Sequence, residues 1–211
     1  MYVPEHFKEK NINEIKKIID SYPLATLFTS GANGFSANHL PFLCDFNEDG
    51  SQTITGHIAR ENELYKESKE GDQVLVVYKA EDTYISPNWY QTKKLTHQVV
   101  PTWNYQAIHF HGVISFFEDK KLLLAVLGKL TKIHEKKIGE NPPWKIRDAP
   151  REFIEKKLSA IVGIKINVSR FEAKSKLNQN KEVVDFKSVK KKMVQIRKKS
   201  LYLAMEKLKI K

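Results

Sequence analysis

Cysteine is nearly missing from this chain. Cys44 stands alone among 211 residues, so no disulfide framework can form within it, which fits a reducing compartment. No run of about 18 apolar residues exists, so no helix long enough to cross a membrane is expected. The opening stretch MYVPEHFKEKNINEIKKIID is charged and lacks the apolar centre of a signal peptide, which makes the cytoplasm the expected location. There is no Gly-rich phosphate loop, no CxxC pair, no internal repeat and no strand–helix–strand alternation, so a doubly wound nucleotide fold is not expected.

Positive charge is abundant, with a net +11, but it is unevenly placed. Lys187 to Lys211 hold ten Lys/Arg against Glu206, a net of +9, which leaves +2 for the first 186 residues. The body is close to neutral, so electrostatic binding of nucleic acid cannot be argued from the whole-chain charge. The expected organisation is a domain over 1–186 and a basic helical tail over 187–211.

Alternation and turn signals predict strands at 24–30, 35–46, 52–59, 72–80, 84–86, 102–117 and 160–177. Helices are predicted at 13–20 (capped by Asn13), 61–71, 118–137 and 151–158, with a basic helix from about Glu182. In 118–137 the apolar stripe is Leu122, Leu123, Val126, Leu127 and Leu130. In the tail Val189, Met193, Ile196, Leu201, Met205 and Leu208 form the apolar side. Short-spaced strands joined by tight turns and interrupted by helices predict a mainly β, α+β chain: an antiparallel sheet curled into a barrel, with peripheral helices.

Candidate chemistry comes in several pieces. His109 and His111 share one face of a strand, as a metal pair requires, but no third ligand is spaced near them; the alternative is a polar face or a subunit contact. Cys44 in HLPFLC reads as a structural thiol. In GHIAREN (56–62), His57, Arg60 and Asn62 stand at a strand-to-helix transition where a phosphate could bind; Arg60 could equally pair with Glu61 or Glu63. The stretch 84–105, YISPNWYQTKKLTHQVVPTWNY, packs Trp89, Thr102, Trp103, Asn104 and Tyr105 together. Such residues either cover the faces and edge of a planar heterocycle or plug a barrel end. KLNQNK (176–181) adds two amides and flanking lysines after a strand. No residue reads as a catalytic acid, base or nucleophile.

Those segments, together with MYVPEHF, HLPFL (39–43), DAP (148–150) and AIVGIKI (160–166), resemble in order the PaiB-like family of FMN-binding negative transcriptional regulators. The resemblance runs from residue 1 to about 186. It implies a flavin-reductase-like split β-barrel, as in pyridoxamine phosphate oxidases, a homodimer with sites near the subunit interface, and an FMN cofactor. It also implies regulation of transcription through DNA or a protein partner. It carries cofactor binding onto His39, His57, Arg60, Asn62, Trp89, Thr102, Trp103, Asn104, Tyr105, Lys176, Gln179 and Asn180. The phosphate is then expected near Arg60 and the ring against VPTWNY and KLNQN. Two departures stand out: Glu61 and Glu63 surround Asn62 where the family shows ARANP, and Asn178 replaces the serine of KLSQN. Two alternatives remain open, a cofactor-free regulator and a haem-binding split barrel. An enzyme of this kind would be a flavin-dependent oxidoreductase.

Overall fold

Strand β1 (Leu24–Gly31) and strand β2 (Gly34–Pro41) form an antiparallel hairpin, with Leu24 opposite Pro41 and Gly31 opposite Gly34. Gly34 takes a φ of 100°, which glycine tolerates because it has no Cβ. The computed structural model describes residues 1–31, 33–208 and 210; Ala32, between the strands expected at 24–30 and 35–46, and Lys209 and Lys211 of the expected tail lie outside them.

The expected single strand over 35–46 is two. Pro41 has no N–H to continue a ladder, and the Phe42 N–H turns back to the Pro23 carbonyl. Strand β3 (Leu43–Phe46) then pairs with strand β4 (Gln52–Ala59). Phe42 is buried over Gly56, where a Cβ would stand 2.6 Å from its ring.

Strand β5 (Gln73–Ile85), strand β6 (Thr102–Phe117) and strand β7 (Ile161–Lys176) complete a seven-stranded antiparallel sheet in the order β2-β1-β5-β6-β7-β4-β3. β5 runs through Glu81 and Asp82, where the sequence predicts a break. The acids are tolerated because Asp82 pairs with Lys79 and Glu81 with Lys198.

The helices are α1 (Ile12–Ser21), α2 (Glu63–Glu67), α3 (Lys93–Thr96), α4 (Lys120–Ile138), α5 (Arg151–Ser159), α6 (Val183–Gln195) and α7 (Lys199–Glu206). The cap of α1 is Asn11, not Asn13: its side chain accepts the Asn13 N–H at 3.0 Å. α2 is far shorter than the expected 61–71, because Asp72 captures the Lys69 N–H and bends the chain away. On α4, Leu123 and Leu130 are buried, whereas Leu122 of the expected stripe is exposed.

The chain divides into two compact units, one of residues 1–22, 78–109 and 172–211, the other of 23–77 and 110–171. The first unit centres on Ile85, Tyr90, Leu177, Phe186, Val189, Met193, Leu201 and Met205. The tail therefore contributes core, and α6 begins at Val183, so the expected boundary at 186/187 falls inside a helix. The single basic helix is interrupted at Arg197, whose φ of 59° and the Lys198 N–H to Met193 carbonyl bond (2.8 Å) turn the chain back. That turn lets α6 and α7 present apolar sides to one cluster; Ile196, at the turn, stays partly exposed. The second unit buries Leu27, Ile54, Ile58, Leu64, Val76, Phe110, Ile114, Leu123, Val162, Ile164 and Ile166.

Candidate functional site

In the first unit the start of β6 and the end of β7 frame a cavity of about 610 Å³, lined by Lys79, Asp82, Thr102, Trp103, Tyr105 and Lys176. That volume lies in the range of small-molecule sites. Strand alternation puts Trp103 and Tyr105 on the same face. Trp103 is 52% exposed and meets the Tyr84 ring edge-on, with centroids 6.1 Å apart. Lys176 Nζ donates to Thr102 Oγ1. Burial pushes the Lys176 pKa below the usual lysine range; the Tyr105 hydroxyl opposes the shift, and Lys174 and Lys181 add to it. Among the described residues no carboxylate pairs with Lys176, while Asp82 is already matched by Lys79. The result is a half-buried cation beside a flat, half-open ring.

Thr102, Trp103, Tyr105 and Lys176 are thus brought together, and other expected site residues are not. Asn104 points to the opposite face of β6. It is fully buried, with Nδ2 3.9 Å from Met205 Sδ and Oδ1 without a partner. Trp89 packs against the tail cluster beside Tyr90, whose hydroxyl accepts from Asn178 Nδ2 at 2.9 Å. Asn178 holds a φ of 64°, which an amide side chain tolerates better than most. Gln179 and Asn180 line a different cavity of about 550 Å³, with His6, Lys8, Glu9, Ser175 and Lys181. Gln179 itself is tied into the backbone, accepting the Leu177 N–H at 2.7 Å.

His39, His57, Arg60 and Asn62 belong to the second unit. Arg60 fastens three segments. Its guanidinium holds Glu118 in two parallel bonds of 3.0 Å, and also reaches the Ser159 carbonyl (3.1 Å) and the Ile161 carbonyl (3.4 Å). Tyr65 donates to Glu118 at 2.7 Å. Arg60 and Tyr65 together hold the Glu118 carboxyl below the usual carboxylate range. The partner is Glu118 from the start of α4, not the neighbouring Glu61 or Glu63. Asn62 caps α2 through the Leu64 N–H and donates to Asn38, and exposed His39 meets Thr26 at 3.1 Å. Burial lowers the pKa of His57, whose Nδ1 has no partner.

Sequence reasoning missed Lys79, Asp82 and Tyr84. Asp82 sits where β5 was expected to break, Lys79 lies in the strand expected before the break, and Tyr84 opens the quoted 84–105 stretch without having been singled out.

The chain is 34% identical over 190 residues to the Bacillus subtilis "Protease synthase and sporulation protein PAI 2", covering 90% of this chain and 87% of that one. An uncharacterized protein of Saccharomyces cerevisiae is 33% identical over 167 residues, 69% of this chain and 98% of that one. Two solved structures share the fold. A FAD and heme binding protein from Mycobacterium smegmatis gives a TM-score of 0.57 at 16% identity, over 80% of this chain and 73% of that one. A flavocytochrome from Azotobacter vinelandii gives 0.59 at 12% identity, over 82% and 72%. With the strand order above, they place the chain in the split β-barrel class, with peripheral helices and a basic C-terminal helical region. A family model described as "Putative FMN-binding domain" matches residues 1–170, and with the PAI 2 relative it shows that the chain belongs to this PaiB-like family.

Proposed function

We propose that this chain binds a flavin, FMN, at the Thr102–Trp103–Tyr105–Lys176 cavity and acts as a negative regulator of transcription of the PaiB type. Family membership supports the cofactor class, and the Bacillus relative's name supports a link to protease synthesis and sporulation. The observation that carries the reading is Lys176: a half-buried cation with no carboxylate partner among the described residues, bonded to Thr102 beside an open tryptophan face. These residues fit FMN. Lys176 and Thr102 offer a charge and a hydroxyl to its phosphate, and Trp103 offers a surface to its ring. Arg60 fits the phosphate less well, because four of its five N–H donors are already engaged. A bound flavin would supply a redox centre and a yellow chromophore.

The chain's own residues would bind and orient. Desolvation strengthens the attraction of Lys176 for an anion, and the Lys79–Asp82 pair leaves that charge uncancelled. A homodimer is part of the proposal: Trp103 and Val113 leave apolar surface on one face of β6, although Ala107 on that face is already buried. Light scattering at micromolar concentration checks it, and a monomer mass removes it.

The test compares two ligands. Purified protein loaded with FMN should show a two-band flavin spectrum. Lys176→Ala should weaken FMN roughly ten- to a hundred-fold, the usual worth of one charged hydrogen bond, and leave riboflavin nearly unchanged. Arg60→Ala should weaken neither ligand selectively. A selective loss of FMN with Arg60→Ala and none with Lys176→Ala would move the phosphate to Arg60. No flavin binding by the unaltered chain would end the reading.

A further inference from the structure

The second unit carries a larger cavity, of about 850 Å³, which shares no lining residue with the sites above. One wall is a single face of α4, where Gly128, Lys132 and Lys136 recur every fourth residue, and Glu140 lies just past the Gly139 cap. The facing wall is the strap Pro143–Trp144–Lys145–Ile146–Arg147. One bond ties the strap to α4 and a second closes its own turn. Glu135 accepts the Trp144 N–H at 2.9 Å, and Asp148 accepts the Lys145 N–H at 2.8 Å. Gly128 leaves the floor open to Ile146, whose Cδ1 is the nearest atom to a Cβ placed there, at 3.9 Å. Trp144 is 46% exposed.

Charge decides the ligand class. Lys132, Lys136, Lys145 and Arg147 face Glu140 alone in the lining, a net of +3, and none of the four makes an ion pair among the described residues. Lys136 is accounted for by the negative end of α4, since a helix C-terminus attracts cations with about half a charge. Lys132, Lys145 and Arg147 are not. An acidic peptide would use the cations but not the tryptophan and the Ile146 floor; an apolar ligand would use the floor but not the cations. A nucleoside triphosphate uses both: a flat base, and about four negative charges at neutral pH.

We infer that this cavity is a nucleotide site, with the base on Trp144 and the phosphates on Lys132, Lys145 and Arg147. The occupant is a free nucleoside triphosphate. The cavity volume lies within the range for a single small molecule, roughly 300–1,000 Å³.

Isothermal titration of the full chain with ATP, without magnesium, tests it. The expected dissociation constant is about 10–100 µM, weakening steeply with salt. Trp144→Ala, at an exposed side chain, should weaken ATP about tenfold. Lys132→Glu with Arg147→Glu should weaken it by at least about a hundredfold. Circular dichroism should show both variants folded. Five results would overturn the inference. One is no ATP binding tighter than about 1 mM. Another is binding indifferent to both variants, and a third is pyrophosphate binding as tightly as ATP, which would mean the ring is not read. A fourth is a ten-nucleotide single strand binding more tightly than ATP through the same residues, which would make the occupant nucleic acid. Displacement of ATP by FMN in a Lys176→Ala background would likewise reassign the cavity to the flavin.

Discussion

Met205→Ala removes the Cγ, Sδ and Cε atoms from a side chain with no exposed surface. Its cluster neighbours Val189, Met193 and Leu201 are also almost fully buried, so little can collapse into the hole. Burial and cavity terms for such a truncation come to about 2–5 kcal/mol, and this tight surround puts the expectation near 3 kcal/mol. With a urea slope of about 2 kcal/mol per molar, the midpoint should fall by roughly 1.5 M at unchanged slope. The melting temperature should fall by about 6–12 °C for a chain of this size. Val194→Ala is the control, because Val194 sits on the same region but is 57% exposed; it should change stability by under about 0.5 kcal/mol. The experiment separates a docked tail from a free basic arm. A Met205→Ala effect no larger than that of the control would refute docking and restore the arm. The ion pairs Lys198–Glu81 and Lys207–Glu14 point the same way, since they hold tail cations against residues outside the tail instead of leaving them for DNA, while Lys190–Glu206 joins α6 to α7.

FMN affinity should be pH-dependent through Lys176: the attraction is full while Lys176 is charged and is lost as pH rises through its folded pKa, which lies below the ordinary lysine value of about 10.4. Titrations from neutral to alkaline pH check this, and the slope should vanish in Lys176→Ala. His57 should make the fold acid-sensitive: its folded pKa is depressed, so the unfolded chain binds the proton first and stability falls as pH drops through about 6.5. Denaturation midpoints at pH 7.5 and 5.5 should converge in His57→Gln; persistence of the full difference would assign it elsewhere. Gly56→Ala should destabilise by about 1–3 kcal/mol through overpacking against the Phe42 ring, and Gly56→Ala with Phe42→Leu should recover part of that loss. Glu118→Gln should weaken the latch around Arg60 and speed cleavage near Ser159 by protease without altering flavin affinity.

Local chemistry made much of the fold legible. Period-two alternation over 102–117 determines β6 and its buried face, and the quoted motifs determine the family. Several of the places where local reasoning failed involve partners distant in sequence. Pro41 ends β2 because the Phe42 N–H returns to Pro23, and Phe42 then packs over Gly56. β5 passes through Glu81 and Asp82 because Lys198, more than a hundred residues away, matches one of the charges. Lysine-rich periodicity announced a helix, but only the left-handed turn at Arg197 folds it into two pieces that share a core. The candidate site follows the same division. The sequence named Thr102, Trp103, Tyr105 and Lys176 separately; only strand neighbours separated by over seventy residues bring Lys176 to Thr102, and only alternation turns Asn104 away. Arginine's fork fits a phosphate as well as a carboxylate, and only the tertiary structure sets Glu118, 58 residues away, 3.0 Å from that fork. Propensity and pattern act over a few residues, whereas the burial of a charge or a ring is settled by whatever the fold brings beside it.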